Sequence, residues 1–464
     1  METRCEIDSL GEKILPKSAY YGVQTLRAVE NFPISGIQHP TVFIKSYVQV
    51  KKAAAQANME VGWLDLKIGE AIVQACDEVL ANKFLDQFVV DVFQAGAGTS
   101  FNMNINEILA NRALELLGKE KGDYKSVNPN DHVNMSQSTN DTFPTALHVA
   151  VLTAIQPLFN ELENVASSFE VLSKRYNDII KSGRTHLQDA LPVTVGQEFG
   201  AYCSTLRNAL DELKKRQQDL YQVALGATAT GTGANTHPRY RQLAISKLGT
   251  MTSLPLTWAK NSFEALQSCR RLAAISSGLK ELALELVRIA NDLRLLSSGP
   301  TTGLAEIQLP AVQPGSSIMP GKVNPVIAEC LNMVAFQVLG NDLTVAFAVQ
   351  AGQLELNVMT PVIMYNVLFS IQILTNCLIV LREKCVKGIQ VDEERCRNYL
   401  DKNPALATFL SPKIGYLEAS MIAKQAVEED KSVKEVAVQK NVLNHEELDR
   451  VFDRKNLMGK TSEE

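Results

Sequence analysis

The apolar positions in the middle of the chain follow the pattern of long amphipathic helices. Between Ala146 and Leu172 they recur every three or four residues, which is the period of one face of an α-helix. Similar patterns cover Glu198–Leu225, Phe263–Leu296, Pro325–Gln350 and Pro361–Lys384. No strand alternation of comparable strength is present. Five such helices, joined by Gly-, Pro- and Thr-rich segments, predict a mainly α fold with an elongated five-helix central bundle.

Two regions with different residue patterns flank this bundle. Residues 1–140 mix turns with shorter helical patterns, and residues 393–464 are more highly charged and locally helical. The shorter predicted helices are Thr41–Val61, Lys67–Asn82, Tyr416–Glu428 and Ser432–Lys440. We therefore predict an N-terminal domain over 1–140, a central bundle over 141–392 and a small C-terminal helical domain over 393–464. A frayed tail is expected from Lys460.

One apolar stretch is long enough to raise the question of a membrane span. Leu356–Leu381 contains no charged residue, and its length could cross a bilayer. Polar residues interrupt it at Asn366, Ser370, Gln372 and Asn376. A helix that is apolar on all sides can also lie in a protein core. We therefore expect a buried helix of a soluble bundle and no association with a membrane.

Composition and charge narrow the class of protein. The net charge of the 464-residue chain is −5, which does not favour a surface for nucleic acid. Eight cysteines are scattered without a CxxC pair, as in reduced cytoplasmic proteins, and six dispersed histidines make a zinc site improbable. The opening residues lack the apolar run of a signal peptide. We expect a cytoplasmic protein without a metal or cofactor.

Two polar segments in the first third of the chain are candidates for anion binding. Gln94–Asn104 combines glycines with hydroxyl and amide side chains, and Asn134–Asp141 contains three consecutive polar residues. Such residues bind anions through hydroxyls, amides and backbone N–H groups. Each segment also has a purely structural interpretation. Thr99 or Ser100 could cap one helix, and Asp141 could cap the next.

Two further segments carry residues that could act on a proton. Ser182–Asp189 contains His186, which could be a general acid or base, although a single histidine is more often structural. Pro314–Pro325 places two serines, a lysine and an asparagine between two long helices. Loops of this length are often functional, and a serine there could serve as nucleophile or base. The GxSxG motif of acyl-enzyme chemistry is absent.

The last of these segments resembles a known family. Gly315–Asn324 reads GSSIMPGKVN, which is similar to the GSSxMPxKxN signature of the aspartase/fumarase superfamily. The other three segments fall in the same order as other characteristic regions of that family. The resemblance extends over nearly the whole chain, from Tyr20–Thr25 to Ile414–Tyr416. It implies a homotetramer with active sites shared between subunits and a reversible anti-elimination that releases fumarate from a small substrate.

The resemblance also implies a role for each candidate residue. Ser316 would be the catalytic base on a loop that closes over the substrate. Lys322, Asn324 and Thr185 would bind the α-carboxylate. Thr99, Ser138, Thr139 and Ser317 would bind the carboxylate that gains negative charge when the proton is removed. Asn140 and His186 would lie near the leaving amine, and no catalytic metal would be required.

Several short motifs resemble the aspartase branch more than the fumarase branch. These are GAGTS at Gly96–Ser100, QSTND at Gln137–Asp141, GNDLT at Gly340–Thr344 and NVM at Asn357–Met359. They imply elimination of ammonia from L-aspartate. The alternatives are a fumarate hydratase, a lyase of another ammonium-bearing acid, or a silent relative such as a lens crystallin. The intact signature residues argue against a silent protein.

Three positions depart from the pattern of the aspartases. Thr301, Gln350 and Thr360 stand where one arginine and two acids are usual. Losing both signs of charge together indicates that an ion network has been replaced by neutral residues. If that network shapes the amine side of the pocket, the substrate would be a different amine. The departures therefore concern the substrate and leave the class of reaction unchanged.

Overall fold

The computed structural model describes residues 2–458, so the predicted tail from Lys460 lies outside the described residues. In that range the helices are α1 (Val23–Asn31), α2 (Thr41–Glu60), α3 (Leu66–Leu80), α4 (Thr99–Leu116), α5 (Thr139–Arg175), α6 (Val195–Gln217), α7 (Tyr240–Thr252), α8 (Ser262–Gln267), α9 (Arg270–Leu296), α10 (Val326–Gln350), α11 (Thr360–Lys384), α12 (Glu393–Asp401), α13 (Ser411–Ile414), α14 (Tyr416–Glu428), α15 (Val433–Gln439), α16 (His445–Val451) and α17 (Arg454–Leu457). The strands are β1 (Thr3–Asp8), β2 (Gly11–Pro16), β3 (Ile180–Thr185), β4 (Gln188–Thr194), β5 (Gln222–Val223), β6 (Thr257–Trp258), β7 (Ile307–Gln308) and β8 (Gln390–Val391), and they pair in twos. The prediction of a mainly α fold is confirmed.

Five long helices dominate the structure, as the apolar period predicts. They are α5, α6, α9, α10 and α11, with lengths between 23 and 37 residues. The apolar face of α5 is fully buried, and Leu152, Ile155 and Leu158 are among its inaccessible side chains. Burial of such a face, rather than intrinsic helix propensity, provides most of a helix's stability in a folded protein.

Two predicted helices end or break earlier than expected. The pattern predicts one helix over Glu198–Leu225, but α6 ends at Gln217 and a 3₁₀ turn follows. The pattern over Phe263–Leu296 divides into α8 and α9. Ser268 adopts an extended conformation between them, with φ −110° and ψ 118°. The apolar period continues across this break, and no proline or glycine marks it.

The segment Ser182–Asp189 lies in a β-hairpin, which the sequence pattern does not predict. Residues 180–194 form the antiparallel hairpin of β3 and β4, and its two-residue turn is His186-Leu187. Both residues have positive φ, 57° and 60°, as a type I′ turn requires. The sequence lacks the Asn-Gly or Asp-Gly pair that usually announces this turn, so the hairpin gives no strong signal.

The chain divides into two compact units, each assembled from three segments. The first contains Met1–Phe159, Asp211–Ala283 and Ala335–Thr375, and the second contains Asn160–Leu210, Leu284–Val334 and Asn376–Glu464. The division falls within each of the five long helices. The second unit includes a separate apolar core among α12, α14, α15 and α16, with Leu410, Ile422 and Val436 at its centre. The three regions predicted along the sequence stay a prediction.

Three helices in the described range are long and apolar enough to cross a membrane, judged by length and composition alone. They are α5, α10 and the segment Thr360–Gly388, which begins with α11. In their most apolar windows 78%, 39% and 56% of the residues are buried inside the protein. α10 is therefore the helix whose apolar surface is covered least within one chain.

Candidate active site

The first polar segment forms a tight approach to the N-terminus of α4. Gly98 precedes the helix with φ 85°, and a Cβ at this position would lie 2.1 Å from the ring of Phe143. Only glycine satisfies both the backbone angle and this contact. Gly98, rather than Thr99 or Ser100, is the N-cap, so that structural interpretation is wrong. Thr99 is left exposed at the first position of the helix.

Gln94 also holds the chain at the N-terminus of α4. Its Oε1 accepts a 2.8 Å hydrogen bond from Phe101 N, and its Nε2 lies 2.9 Å from Nε2 of the buried His39. The His39 ring stacks on Phe101 at 3.7 Å between centroids. Burial lowers the pKa of His39 to about 3, so its imidazole is neutral. The N–H groups of Thr99 and Ser100 remain directed out of the helix end.

The second polar segment ends in a reciprocal cap of α5. Ser138 Oγ accepts from Asn140 N at 3.2 Å, and Asp141 Oδ1 accepts from Ser138 N at 3.0 Å. Ser138 is thus the cap, and Asp141 completes the capping pair. The Ser138 hydroxyl keeps its proton for a ligand. Thr139 is buried, while Ser138 and Asn140 are partly exposed.

A fifth polar segment, which the sequence interpretation missed, lies beside the second. Gly226–Asn235 reads GATATGTGAN and directly follows the helix predicted over Glu198–Leu225. The other oxygen of the fully buried Asp141 accepts from Gly226 N at 2.8 Å and Thr228 N at 3.0 Å. Asn140 Nδ2 donates to Ala229 O at 2.8 Å. Its richness in Gly and Thr, shared with the other segments, is the signal that could have identified it.

A strained residue marks this fifth segment. Thr228 has φ 57°, which is unusual for a β-branched residue. The Asp141 carboxylate holds its backbone in place, and burial raises the pKa of Asp141 to about 6 against the three N–H donors that lower it. Strain of this kind accumulates at functional sites. We therefore include the turn at Thr228 in the candidate site.

A buried lysine contacts the second polar segment, Asn134–Asp141. Lys51 Nζ donates to Asn102 Oδ1 at 2.7 Å and to Asn134 Oδ1 at 2.9 Å. Burial lowers the pKa of Lys51 to about 7, while the charges of Asp141 and the Cys76 thiol act in the opposite direction. The burial of Lys51 cannot be predicted from its sequence context, because a lysine in an alanine-rich helix is normally solvated.

In the second unit, Thr185 and His186 lie at the exposed tip of the β3–β4 hairpin. Ion pairs from β3 to Glu306 hold the hairpin in place. Arg184 binds Glu306 through two hydrogen bonds of 3.0 and 2.9 Å, and Lys181 Nζ lies 2.8 Å from the same carboxylate. Glu306 is completely inaccessible to solvent. The hairpin therefore presents its two polar tip residues from a rigid base.

The signature loop, Pro314–Pro325, is closed at its base. Gly315 N donates to Lys322 O at 2.9 Å, and Asn324 Nδ2 donates to Gly315 O at 2.6 Å. A Cβ on Gly315 would lie 2.5 Å from Lys322 O, so the two ends approach this closely only with glycine. Asn324 uses one amide N–H to hold the loop and keeps the other for a ligand.

The hydroxyl of Ser316 lies in a cradle of backbone donors. Its Oγ accepts from Ile318 N at 3.2 Å and from Met319 N at 3.0 Å. Donors aimed at a hydroxyl oxygen favour its ionised form. Ser317 and Lys322 are exposed, and in the described part of the chain neither side chain has a hydrogen bond or ion pair. Both are free to meet a ligand.

The structure brings candidate residues together in the first unit. In the first unit, contact of Gly98 with Phe143 brings Thr99 close to the start of α5, which carries Ser138, Thr139 and Asn140. In the second unit, the tip residues Thr185 and His186 make no hydrogen bond with the signature loop among residues 2–458.

The three departures from the aspartase pattern have different environments. Thr301 and Gln350 are exposed. Thr360 is 4% exposed at the start of α11, and its hydroxyl is buried without a hydrogen-bond partner in the described structure. No ion pair in residues 2–458 involves any of the three. The suggestion that they replace an ion network stays a prediction.

Comparison with known proteins identifies the family. The family model described as "Lyase" matches residues 11–340, and "Fumarase C C-terminus" matches residues 406–459. A relative named aspartate ammonia-lyase from Bacillus subtilis (strain 168) is 49% identical over 452 residues, covering 97% of this chain and 95% of the relative.

Solved structures agree with this assignment. The fumarate lyase:delta crystallin of Brucella melitensis, in a structure bound to cobalt, is 48% identical, with a TM-score of 0.95 over 97% of this chain and 98% of that one. The class II fumarase of Schistosoma mansoni is 36% identical, with a TM-score of 0.94 over 98% of both chains. The chain is therefore a carbon–nitrogen lyase-like enzyme that belongs to the aspartase/fumarase superfamily.

Proposed function

We propose that this enzyme is an aspartate ammonia-lyase, which removes ammonia from L-aspartate by reversible anti-elimination and releases fumarate. The name and 49% identity of the Bacillus relative support this substrate. The motifs GAGTS at Gly96–Ser100 and QSTND at Gln137–Asp141 support it as well. The observation that carries the mechanism is the pair of N–H donors on Ser316 Oγ.

The chemical difficulty lies in removing a proton from the carbon beside a carboxylate. The resulting aci-carboxylate carries two negative charges, and enzymes typically lower such barriers by about 8–23 kcal/mol. Donors fixed in place before the reaction stabilise the developing charge most effectively. Ser138 and Thr139 supply hydroxyls at the start of α5, and Thr99 adds the uncapped end of α4. Ser317 would join them when the signature loop closes.

Ser316 is the proposed base. A serine hydroxyl is ordinarily too weak an acid to be ionised at neutral pH, but N–H donors and a nearby cation favour the alkoxide. The N–H groups of Ile318 and Met319 are already directed at its Oγ, and Lys322 carries the nearest cation of the same loop. The alkoxide takes the proton from the substrate carbon, and the amine departs from the opposite face.

Two further groups of residues orient the substrate. Lys322, the second amide N–H of Asn324 and the hydroxyl of Thr185 bind the α-carboxylate. Asn140 donates to Ala229 O, so its own Oδ1 is available to accept from the substrate ammonium. His186 would lie on the same side. These residues provide binding and proton transfer without a cofactor.

The active enzyme is proposed to be a cytoplasmic homotetramer whose subunits share active sites. An exposed seam on α10 supports the assembly: Met333, Phe336, Leu343 and Phe347 are 57–67% exposed, and Gly340 lies between them with open space around it. Their spacing of three and four residues is that of a helix seam which packs against another helix. A second copy of the same chain would cover this surface and bring further loops together.

A direct assay tests the proposed reaction. The release of fumarate is followed by its ultraviolet absorbance with L-aspartate and then with L-malate, and ammonia is measured in parallel. Fumarate and ammonia formed in equal amounts from L-aspartate are the expected result. Rapid turnover of L-malate without deamination of L-aspartate would make the enzyme a fumarase. If the enzyme shows neither activity, another amine is the next substrate to test. Thr301, Gln350 and Thr360 are then the first residues to examine.

A further inference from the structure

The most unusual charged group outside the proposed catalytic residues is Lys51. Its side chain, in the middle of α2, is 0% exposed, and Nζ contacts two amide oxygens rather than a carboxylate. Burying an ammonium group is costly unless it is paired or well hydrogen-bonded. A hydrophobic residue of similar volume would fill this space without that cost. The presence of a lysine at this buried position indicates a function in the polar segment that it contacts, Asn134–Asp141.

Hydrogen bonds connect Lys51 to the segment that carries the substrate-binding residues. Nζ donates to Asn134 Oδ1 at 2.9 Å, and Asn134 Nδ2 donates to Gln137 O at 3.2 Å. Ser138 is the next residue along the chain. Lys51 thus reaches the backbone immediately before Ser138, Thr139 and Asn140 through a single intervening side chain.

A second route reaches the Ser138 carbonyl, which is next to the Gln137 carbonyl. Lys51 Nζ donates to Asn102 Oδ1 at 2.7 Å, and the Tyr47 hydroxyl lies 3.0 Å from this oxygen and 2.8 Å from Thr142 Oγ1. Thr142 Oγ1 donates to Ser138 O at 2.8 Å. Tyr47, Asn102 and Thr142 are all buried. Two routes therefore connect the same ammonium group to the adjacent carbonyls of Gln137 and Ser138.

We propose that Lys51 is a positioning residue for the elimination. Its side chain holds Asn134, and Asn134 holds the turn that presents Ser138, Thr139 and Asn140. This inference rests on the proposed function, because it assumes that these three residues bind the substrate. Bonds to a charged donor are roughly twice as strong as neutral ones, so protonated Lys51 holds Asn134 more firmly than neighbouring amides do. Lys51 itself touches neither the substrate nor the reacting atoms.

The structure predicts that Lys51→Met folds. Without the ammonium group, Asn134 Oδ1 still accepts from Asn102 Nδ2 at 3.3 Å and from Asn106 Nδ2 at 3.2 Å. Asn102 Oδ1 keeps the Tyr47 hydroxyl. No amide oxygen loses its last donor, and a buried charge is removed. The melting temperature should therefore be equal to or above that of the wild type.

The test compares Lys51→Met with Lys52→Met in the full-length enzyme. Lys52, on the same helix, is part-exposed and pairs with Asp77, so its substitution should leave turnover unchanged. Lys51→Met should lower kcat by roughly tenfold to 10²-fold, as expected when catalytic groups are displaced slightly. KM should change less, because Ser138 and Thr139 act mainly on the charge that develops in the transition state.

A double-mutant cycle examines the route through Asn134. Asn134→Ala should reproduce the fall in kcat, and adding it to Lys51→Met should cause little further loss. Multiplying effects, or wild-type kcat in folded Lys51→Met, would overturn the proposal. If Lys51→Met fails to fold, unchanged kcat in folded Asn134→Ala overturns it equally well, and a fall in kcat supports it.

Fumarate binding to the wild type separates this inference from the proposed function. If the wild type neither deaminates L-aspartate nor binds fumarate in a calorimetric titration, the proposed function fails. If the wild type does both and Lys51→Met has the same kcat, only the positioning role fails. If the wild type does both and Lys51→Met has a lower kcat at an unchanged melting temperature, the positioning role is supported.

Discussion

Replacing Ser316 by alanine removes the oxygen on which the proposed mechanism depends. Two backbone donors, Ile318 N and Met319 N, are aimed at that oxygen at 3.2 and 3.0 Å. The variant keeps Gly315, Lys322 and Asn324, so the closed base of the loop should persist. Substrate affinity and assembly should remain close to those of the wild type, and the loss should fall on kcat.

The size of the loss follows from the groups involved. General base catalysis contributes about 10²–10⁴-fold. Each N–H donor to an oxyanion adds about 2.7–4 kcal/mol by analogy with an oxyanion hole. In Ser316→Ala the base is lost, and the two donors have no anion to stabilise. We expect kcat to fall by several orders of magnitude.

Ser317→Ala is the matched control, because it removes the same atoms one residue further along the loop. Ser317 is exposed and is proposed only to donate one hydrogen bond, so its loss should cost about 2.7–4 kcal/mol at most. Fumarate formation from L-aspartate is measured for both variants under saturation. If Ser316→Ala kept more than a few percent of activity while Ser317→Ala or His186→Ala abolished it, the base would be misassigned. His186 acting through water would then be the alternative.

Three further predictions concern binding, assembly and stability. Lys322→Ala should raise KM and lower kcat together, and Arg should not restore activity, since a planar guanidinium does not replace a compact ammonium; wild-type kinetics would remove Lys322 from the site. Leu343→Glu, on the seam of α10, should dissociate the assembly and abolish activity, and light scattering measures the size of the resulting species. An active monomer would rule out shared sites. Burial lowers the pKa of Lys51 from 10.5 to about 7, so the unfolded chain binds more protons between these values and the wild type gains stability as pH rises through them. The advantage in melting temperature of Lys51→Met should therefore shrink from pH 6 to pH 9, and an advantage independent of pH would show that this amine does not titrate there.

Local patterns in the sequence predicted the helices well where those patterns have clear ends. The helix expected over Tyr416–Glu428 has these bounds in the structure, because Gly415 precedes it with φ 86° and the apolar period fits the core of the second unit. The break between α8 and α9 was missed. Ser268 turns the chain without a glycine or proline, so tertiary packing rather than local propensity sets this boundary.

The signature loop could be recognised from sequence because its residues are contiguous. The supporting groups could not, because their partners are distant along the chain. Lys51 lies 83 residues from Asn134, and Asp141 lies 85 residues from Gly226. The His186-Leu187 turn was missed for another reason, since tertiary contacts of the hairpin base compensate for an unfavourable turn sequence. Burial and pairing of charges are properties of the folded chain.

The central claim is that this enzyme removes ammonia from L-aspartate, and one measurement tests it most directly. The purified enzyme is incubated with L-aspartate, and fumarate and ammonia are quantified in the same sample over time, with L-malate as the parallel substrate. If the proposed function is correct, equal amounts of the two products form from L-aspartate and no meaningful amount of fumarate forms from L-malate. Fumarate produced from L-malate, with no ammonia released from L-aspartate, would contradict it.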